Sequence, residues 1–206
     1  MSNLKTLGIN DMVVIGGDGS FRGAIDLDNM GLNVVGICGT IDNDISSCDY
    51  TIGYDTALNT VMDMVDRIRD TTESHDRCSI VEVMGRNAGY LALNAGIAVG
   101  ATCILIPEID YDIDSYIIER MKRTQKTGKE HFVIVIAEGV KGIDAHSLAK
   151  YIEQKTGVES RATILISNTA TAESPAISSS DLSATTSLAK TYAAILNTSK
   201  IQNKIK

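Results

Sequence analysis

The sequence has no run of basic residues, no CxxC pair, no internal repeat and no basic start followed by an apolar core. Each absence excludes something. With 19 Lys+Arg against 26 Asp+Glu, the net charge of −7 provides no patch for nucleic acid or an anionic membrane, so neither is expected as a partner. The four cysteines, Cys38, Cys48, Cys78 and Cys103, are scattered and lack a neighbouring His pair, which argues against a zinc site or a dense disulfide scaffold. Reduced thiols in the core of a cytoplasmic protein are the expectation. The opening MSNLKTLGIN does not read as a signal peptide. The apolar stretch 89–106 has the length of a membrane span. Asn94 interrupts it, however, and Gly96 and Gly100 precede a change from helix-like to strand-like residues, so it reads as a buried helix followed by a strand.

What is present is ordinary for a globular protein: 206 residues, 44% hydrophobic and 22% charged, more consistent with one large domain than with two small ones. Short apolar runs at 12–15, 33–37, 78–83, 102–106, 132–136 and 162–166 predict strands. Helices are predicted at 21–30, 56–69, 88–99, 115–126 and 146–155. The clearest is 56–69, where Ala57, Val61, Met64, Val65 and Ile68 share one face and Asp63, Asp66 and Arg67 another. Strands that are apolar throughout and separated by helices predict an α/β fold: a doubly wound, mainly parallel sheet with helices on both faces. Residues 167–189 are dominated by Ser, Thr and Ala and read as a connector, followed by a helix near 188–196 and a polar tail.

In such sheets ligands bind at the carboxyl ends of the strands, so the residues that follow each strand carry the functional signal. The first such loop, IGGDGS (15–20), leaves a strand and enters a helix. Gly17 and Gly19 allow close backbone approach, and the N–H groups of the helix start suit a phosphate. An acid in such a loop makes sense with a cation between it and the phosphate, which makes Asp18 a candidate Mg²⁺ ligand. A tight turn capped by Ser20 is the alternative. The second loop, GTIDND (39–44), sets Asp42 and Asp44 two residues apart; Asp42 is a candidate proton acceptor and Asp44 a further magnesium candidate. An Asx turn explains the same residues structurally. The third, MGRNAG (84–89), offers Arg86 to a phosphate or sugar hydroxyls, unless it is a surface residue paired with a carboxylate. Arg69 and Arg77, flanking 70–76, are additional phosphate candidates.

IGGDGS, GTIDND, YTIGYDTA, RDTTESHDR, VEVMGRNAGYLAL and IPE occur in the order and spacing of bacterial 6-phosphofructokinase, and the likeness covers residues 3–164. The resemblance implies transfer of the ATP γ-phosphate to the 1-hydroxyl of fructose 6-phosphate in a cytoplasmic homotetramer. It implies that Gly17, Asp18, Gly19 and Ser20 hold ATP with Mg²⁺ at Asp18, and that Thr40, Ile41 and Asp42 face the sugar with Asp42 as base. It further implies that Met84, Gly85, Arg86 and Glu138 bind the sugar phosphate, which Arg77 reaches from a neighbouring subunit. Arg69 and Lys129 match positions lining an ADP effector pocket. Relatives using pyrophosphate carry Asp in place of Gly19 and Lys in place of Gly39, so the resemblance favours ATP as donor.

By the same resemblance, residues 1–54 correspond to the remainder of a nucleotide-binding domain, 55–166 to a sugar-phosphate domain and 167–206 to a divergent tail. The family's opening strand and glycine-rich nucleotide loop have no counterpart in the matched stretch. TATAESP (169–175) stands where members read QRGGSP, and Thr102 replaces an effector-site acid. These departures support a second reading: a catalytically impaired fragment, or a regulatory chain that partners a complete subunit.

Overall fold

The computed structural model describes residues 2–165; the connector and terminal helix expected beyond them lie outside the described residues. In chain order the elements are α1 (Ser2–Thr6), β1 (Asp11–Gly16), α2 (Asp18–Asn29), β2 (Asn33–Thr40), β3 (Ile52–Gly53) and α3 (Tyr54–Ser74). They continue with β4 (Cys78–Val83), α4 (Tyr90–Ala98), β5 (Cys103–Leu105), a π-helical turn (Asp114–Ile118) running into α5 (Glu119–Gln125), β6 (Phe132–Ala137), α6 (Ala145–Thr156) and β7 (Ser160–Ile164). Every strand and helix expected within the described range is found, with ends shifted by a few residues; α1 and the short β3 were not anticipated.

The strands form two parallel sheets where one was expected. The first has three strands in the order β1-β2-β3, and the second four in the order β5-β6-β4-β7. The break falls at α3, whose 21 residues carry the chain about 30 Å from the end of β3 toward the start of β4. Apolar runs announce strands but not their partners, so this division has no local sequence signal.

Burial differs between the sheets. In the second, β6 is buried along its whole length and β4 nearly so, because α3 packs on β4 and β6, α4 on β5 and β6, and α6 on β4 and β7. The expectation of helices on both faces suits this sheet. In the first, α2 packs on β1 and β2, and β1 alternates, leaving Val13 and Ile15 exposed. The core centres on Ile80, Leu105, Phe132, Ile134 and Ile136, closed by Ala57, Val61 and Val65 of α3.

Asn94, the polar break in the apolar stretch, joins this packing. Its Nδ2 donates to the hydroxyl of buried Tyr54 at 2.5 Å, and that hydroxyl donates to the Tyr90 carbonyl at 3.1 Å. The pair ties α3 to α4. Tyr54→Phe is therefore expected to destabilise the fold by about 1 kcal/mol, measured by urea unfolding, because two polar groups lose a buried partner.

The cysteines depart from expectation. Cys38 and Cys48 are joined by a disulfide, while Cys78 and Cys103 are free and buried. Separation along the chain concealed the pair, since the turn after β2 brings Cys48 back to Cys38. No described helix is long and apolar enough to cross a membrane.

Candidate active site

The first loop is shorter than its sequence suggested. Strand β1 ends at Gly16 and α2 begins at Asp18, with Gly17 at the N-cap in extended conformation and no side chain capping the helix. Ser20 lies inside the helix and does not cap it, so the capped-turn alternative is not realised. Uncapped N–H groups at a helix start are an anion-binding surface, reinforced by the helix dipole. Glycine is needed at position 16, where a Cβ would collide with the Ser20 side chain. Asp18 is half-exposed and pairs with Arg22 at 2.7 Å.

The second loop turns directly after β2. Asp42 is buried, and its N–H donates to Thr40 Oγ1 at 3.2 Å. Asn43 adopts a left-handed backbone (φ 53°), and its Oδ1 accepts from the Thr51 N–H at 2.9 Å and the Thr51 hydroxyl at 3.3 Å. These bonds reach eight residues along the chain and tie the loop to Thr51, so they are not a local Asx turn. Burial, followed by the charges of Asp44 and Glu138, holds the Asp42 carboxyl above the ordinary range, opposed by Arg86 and the Thr40 hydrogen bond.

The third loop is held by a carboxylate that serves as its template. Gly85 (φ 140°) and Arg86 (φ 51°) both adopt positive φ, and Glu138 Oε1 accepts from the Gly85 N–H at 3.1 Å and the Arg86 N–H at 2.6 Å. Behind it, Gly139 packs against the Arg86 carbonyl so closely that no Cβ fits. Glu108, of the IPE motif, accepts from the Gly89 N–H at 2.7 Å and so caps α4. Arg86 Nε lies 3.6 Å from Asp42 Oδ2. Its pairing with a carboxylate, the structural alternative, is therefore with the candidate base itself.

The three loops meet. One cavity of about 490 Å³ is lined by Gly16, Gly17, Asp18, Gly19, Ser20, Gly39, Thr40, Asp42 and Arg86. A Cβ on Gly17 would stand 3.3 Å from Thr40 Cβ, which shows how closely the first two loops approach. Ile41, Asp44, Met84, Gly85 and Glu138 do not line it, although Ile41 and Gly85 adjoin lining residues in the chain and Glu138 bonds the Arg86 N–H.

The remaining sequence-derived candidates lie elsewhere. Arg77 precedes β4 whereas Arg86 follows it, so about 20 Å of strand separates them. Arg77 Nε donates to Glu159 at 2.8 Å, Arg161 bonds the same carboxylate at 2.8 Å, and a second cavity of about 290 Å³ joins Arg67, Arg77 and Arg161. Sequence reasoning missed Arg161, a lone cation in a strand; its proximity to Arg77 follows from β4–β7 pairing, which sets it opposite Ser79. The Arg69 guanidinium donates to the Val99 carbonyl and lies 3.9 Å from Asp66, and Lys129 is half-buried.

Among the described residues no cluster of three or more His, Cys, Asp or Glu side chains surrounds a metal position. Magnesium bound with phosphates uses only one or two carboxylates, so Asp18, at the cavity wall, fits that role without a cluster.

The Arg86–Asp42 contact gives a direct pH test. Because the folded-state pKa of Asp42 lies above its unfolded value, its contribution to stability is fully present below the unfolded pKa and is lost as pH rises through the folded one. Arg86→Leu removes an opposing charge, so the Asp42 carboxyl is expected to titrate at still higher pH by ¹³C NMR. An unchanged or lower midpoint would contradict the contact.

The phosphofructokinase family model matches residues 1–191. An ATP-dependent 6-phosphofructokinase 1 from Clostridium perfringens is 57% identical over 162 residues, covering 79% of this chain and 50% of that protein. One from Halalkalibacterium halodurans is 56% identical over 166 residues, covering 80% and 51%. Among solved structures, phosphofructokinase from Saccharomyces cerevisiae superposes with a TM-score of 0.70 at 35% identity, over 79% of this chain and 26% of that one. The chain spans about half the length of the curated relatives it matches. With its parallel α/β fold and a family match across nearly all of its length, the chain belongs to the phosphofructokinase family.

Proposed function

We propose that this chain contributes the phosphoryl-transfer centre of an ATP-dependent 6-phosphofructokinase, moving the γ-phosphoryl of ATP to the 1-hydroxyl of fructose 6-phosphate. The observation that carries this reading is the single cavity shared by the α2 start, Asp42 and Arg86. The uncapped N–H groups of Gly17 to Ser20 receive the ATP phosphates. Asp42, raised in pKa by burial yet beside a cation, accepts the proton of the attacking hydroxyl, and Thr40 fixes the turn that presents it. Arg86 offsets negative charge next to the base. Asp18, with Asp44 as a more distant candidate, would hold Mg²⁺, which when bound supplies charge to the phosphate oxygens.

The sugar phosphate is assigned to Ile41, Met84, Gly85, Arg86 and Glu138. Arg77 lies at the opposite end of β4, and by family likeness alone it is assigned to the site of a neighbouring copy in a homotetramer. Arg69 and Lys129 are the ADP-effector candidates. Residues 1–54 would then form the nucleotide side and 55–166 the sugar side, in keeping with two separate sheets. For the donor, Gly19 and Gly39 both line the cavity without a side chain, and a Cβ on Gly19 would meet nothing within 4 Å. Side chains at these positions, Asp at 19 and Lys at 39 in pyrophosphate-using relatives, would fill space that ATP needs, which favours ATP over pyrophosphate.

The match to only about half the length of its curated relatives, with TATAESP where members read QRGGSP, supports a second reading, a catalytically impaired or regulatory chain that functions only beside a complete subunit. A coupled assay with fructose 6-phosphate, Mg²⁺ and either ATP or pyrophosphate tests both. Fructose 1,6-bisphosphate formed with ATP by the purified chain supports the first, and no product from the chain alone but an altered rate when it is added to a complete subunit, relative to that subunit alone, supports the second. No product from the chain alone and no effect on the complete subunit's rate overturns both.

A further inference from the structure

The disulfide occupies a position that phosphoryl transfer leaves unused. Cys38 lies in β2, two residues before Thr40, and Cys48 lies in the connection to β3, with Cα atoms 6.8 Å apart, within the reach of a disulfide. The separation of 10 residues closes a ring that contains Thr40, Ile41, Asp42, Asn43 and Asp44. The entire second loop is inside it. On the strand side the ring is anchored by pairing of Cys38 with Gly16 of the first loop, and just beyond Cys48 by the Asn43–Thr51 hydrogen bonds.

The other two thiols are poor competitors for redox chemistry. Burial pushes Cys78 up to about 12 and Cys103 up to about 11, so neither presents a thiolate near neutral pH. Cys38 and Cys48 are half-buried, and Cys38 directly precedes Gly39, which lines the candidate cavity.

We propose that Cys38 and Cys48 form a reversible dithiol–disulfide site that pins the Asp42 loop when oxidised and releases it when reduced, exchanging with low-molecular-weight disulfides of the glutathione type. One protein thiolate attacks a sulfur of the small disulfide, forming a mixed disulfide and expelling one small thiolate. The second protein thiolate attacks the protein sulfur of that mixed disulfide, closing the Cys38–Cys48 bond and expelling the other. The protein loses two electrons and two protons, and the small disulfide leaves as two thiols. Closing the ring removes backbone freedom from the loop, so the oxidised form holds Asp42 beside Arg86 while the reduced form samples wider positions.

The consequence at Asp42 rests on the proposed function, but sulfur state and loop motion are read without turnover, so the two ideas fail separately. The full chain is incubated with oxidised glutathione or with dithiothreitol, then labelled with iodoacetamide and followed by hydrogen exchange. After oxidation, neither Cys38 nor Cys48 should label, and their linked peptides should be about 2 Da lighter than the reduced sum. After reduction both should label, and amides of 41–51 should exchange about tenfold faster while β4 and β6 are unchanged. Cys48→Ser should show the fast exchange under both conditions. A stable glutathione adduct without internal linkage, a disulfide between chains, or loop exchange indifferent to reduction would overturn the proposal.

Discussion

If the proposed function holds, Asp42→Asn is expected to lower turnover of ATP and fructose 6-phosphate by about 10²- to 10⁴-fold, the range expected when a positioned general base is lost, with the far-UV circular dichroism unchanged. The substitution keeps the shape of the side chain and the Asp42 N–H bond to Thr40, so packing of the second loop is preserved. What it removes is the carboxylate proposed to take the proton. Stability moves little or rises slightly at neutral pH, because a buried, ionised carboxylate with a raised pKa is replaced by a neutral amide. Retention of more than about a tenth of wild-type turnover would remove Asp42 from the role of base, whichever oligomer is assayed.

Gly139→Ala is the most damaging small substitution expected. A Cβ there meets the Arg86 carbonyl below any normal contact distance, with the Arg86 carbonyl carbon at 3.0 Å and Asn87 Cα at 3.2 Å. All three are backbone atoms of a loop already at positive φ and fixed by Glu138, so none yields as a flexible side chain would. The expected loss is about 3 kcal/mol in urea unfolding, at the upper end for overpacking. Arg86 should leave the Asp42 carboxylate at the same time. Unfolding within about 0.5 kcal/mol of the parent, well below an overpacking cost, would show that the loop is more pliant than its hydrogen bonds imply.

The sequence made the local layer readable. Apolar runs bounded by glycine located the strands, and the face shared by Ala57, Val61 and Val65 announced α3 and is the face it buries. IGGDGS, GTIDND and MGRNAG were legible as functional loops because parallel α/β topology sends strand ends to one edge, and they do line or flank one cavity. Pairing was not legible. Nothing local states that β4 lies between β6 and β7, so neither the division into two sheets nor the meeting of Arg77 with Arg161 was visible.

The supporting carboxylates were partly hidden for the same reason. Glu138 holds Gly85 and Arg86 from 52 or more residues away, and Glu108 caps α4 from outside the helix, so each acts through contacts that only the fold creates. Cys38 and Cys48 misled because scattered cysteines ordinarily stay reduced; the turn through Asp42 made them neighbours.

Hydrogen–deuterium exchange of the full chain, with and without ATP and Mg²⁺, tests most directly whether three strand ends form one site. Residues 17–20, 40–42 and 85–86 should gain protection together at the same nucleotide concentration. Protection confined to one of these segments, or absent at saturating ATP, would contradict it.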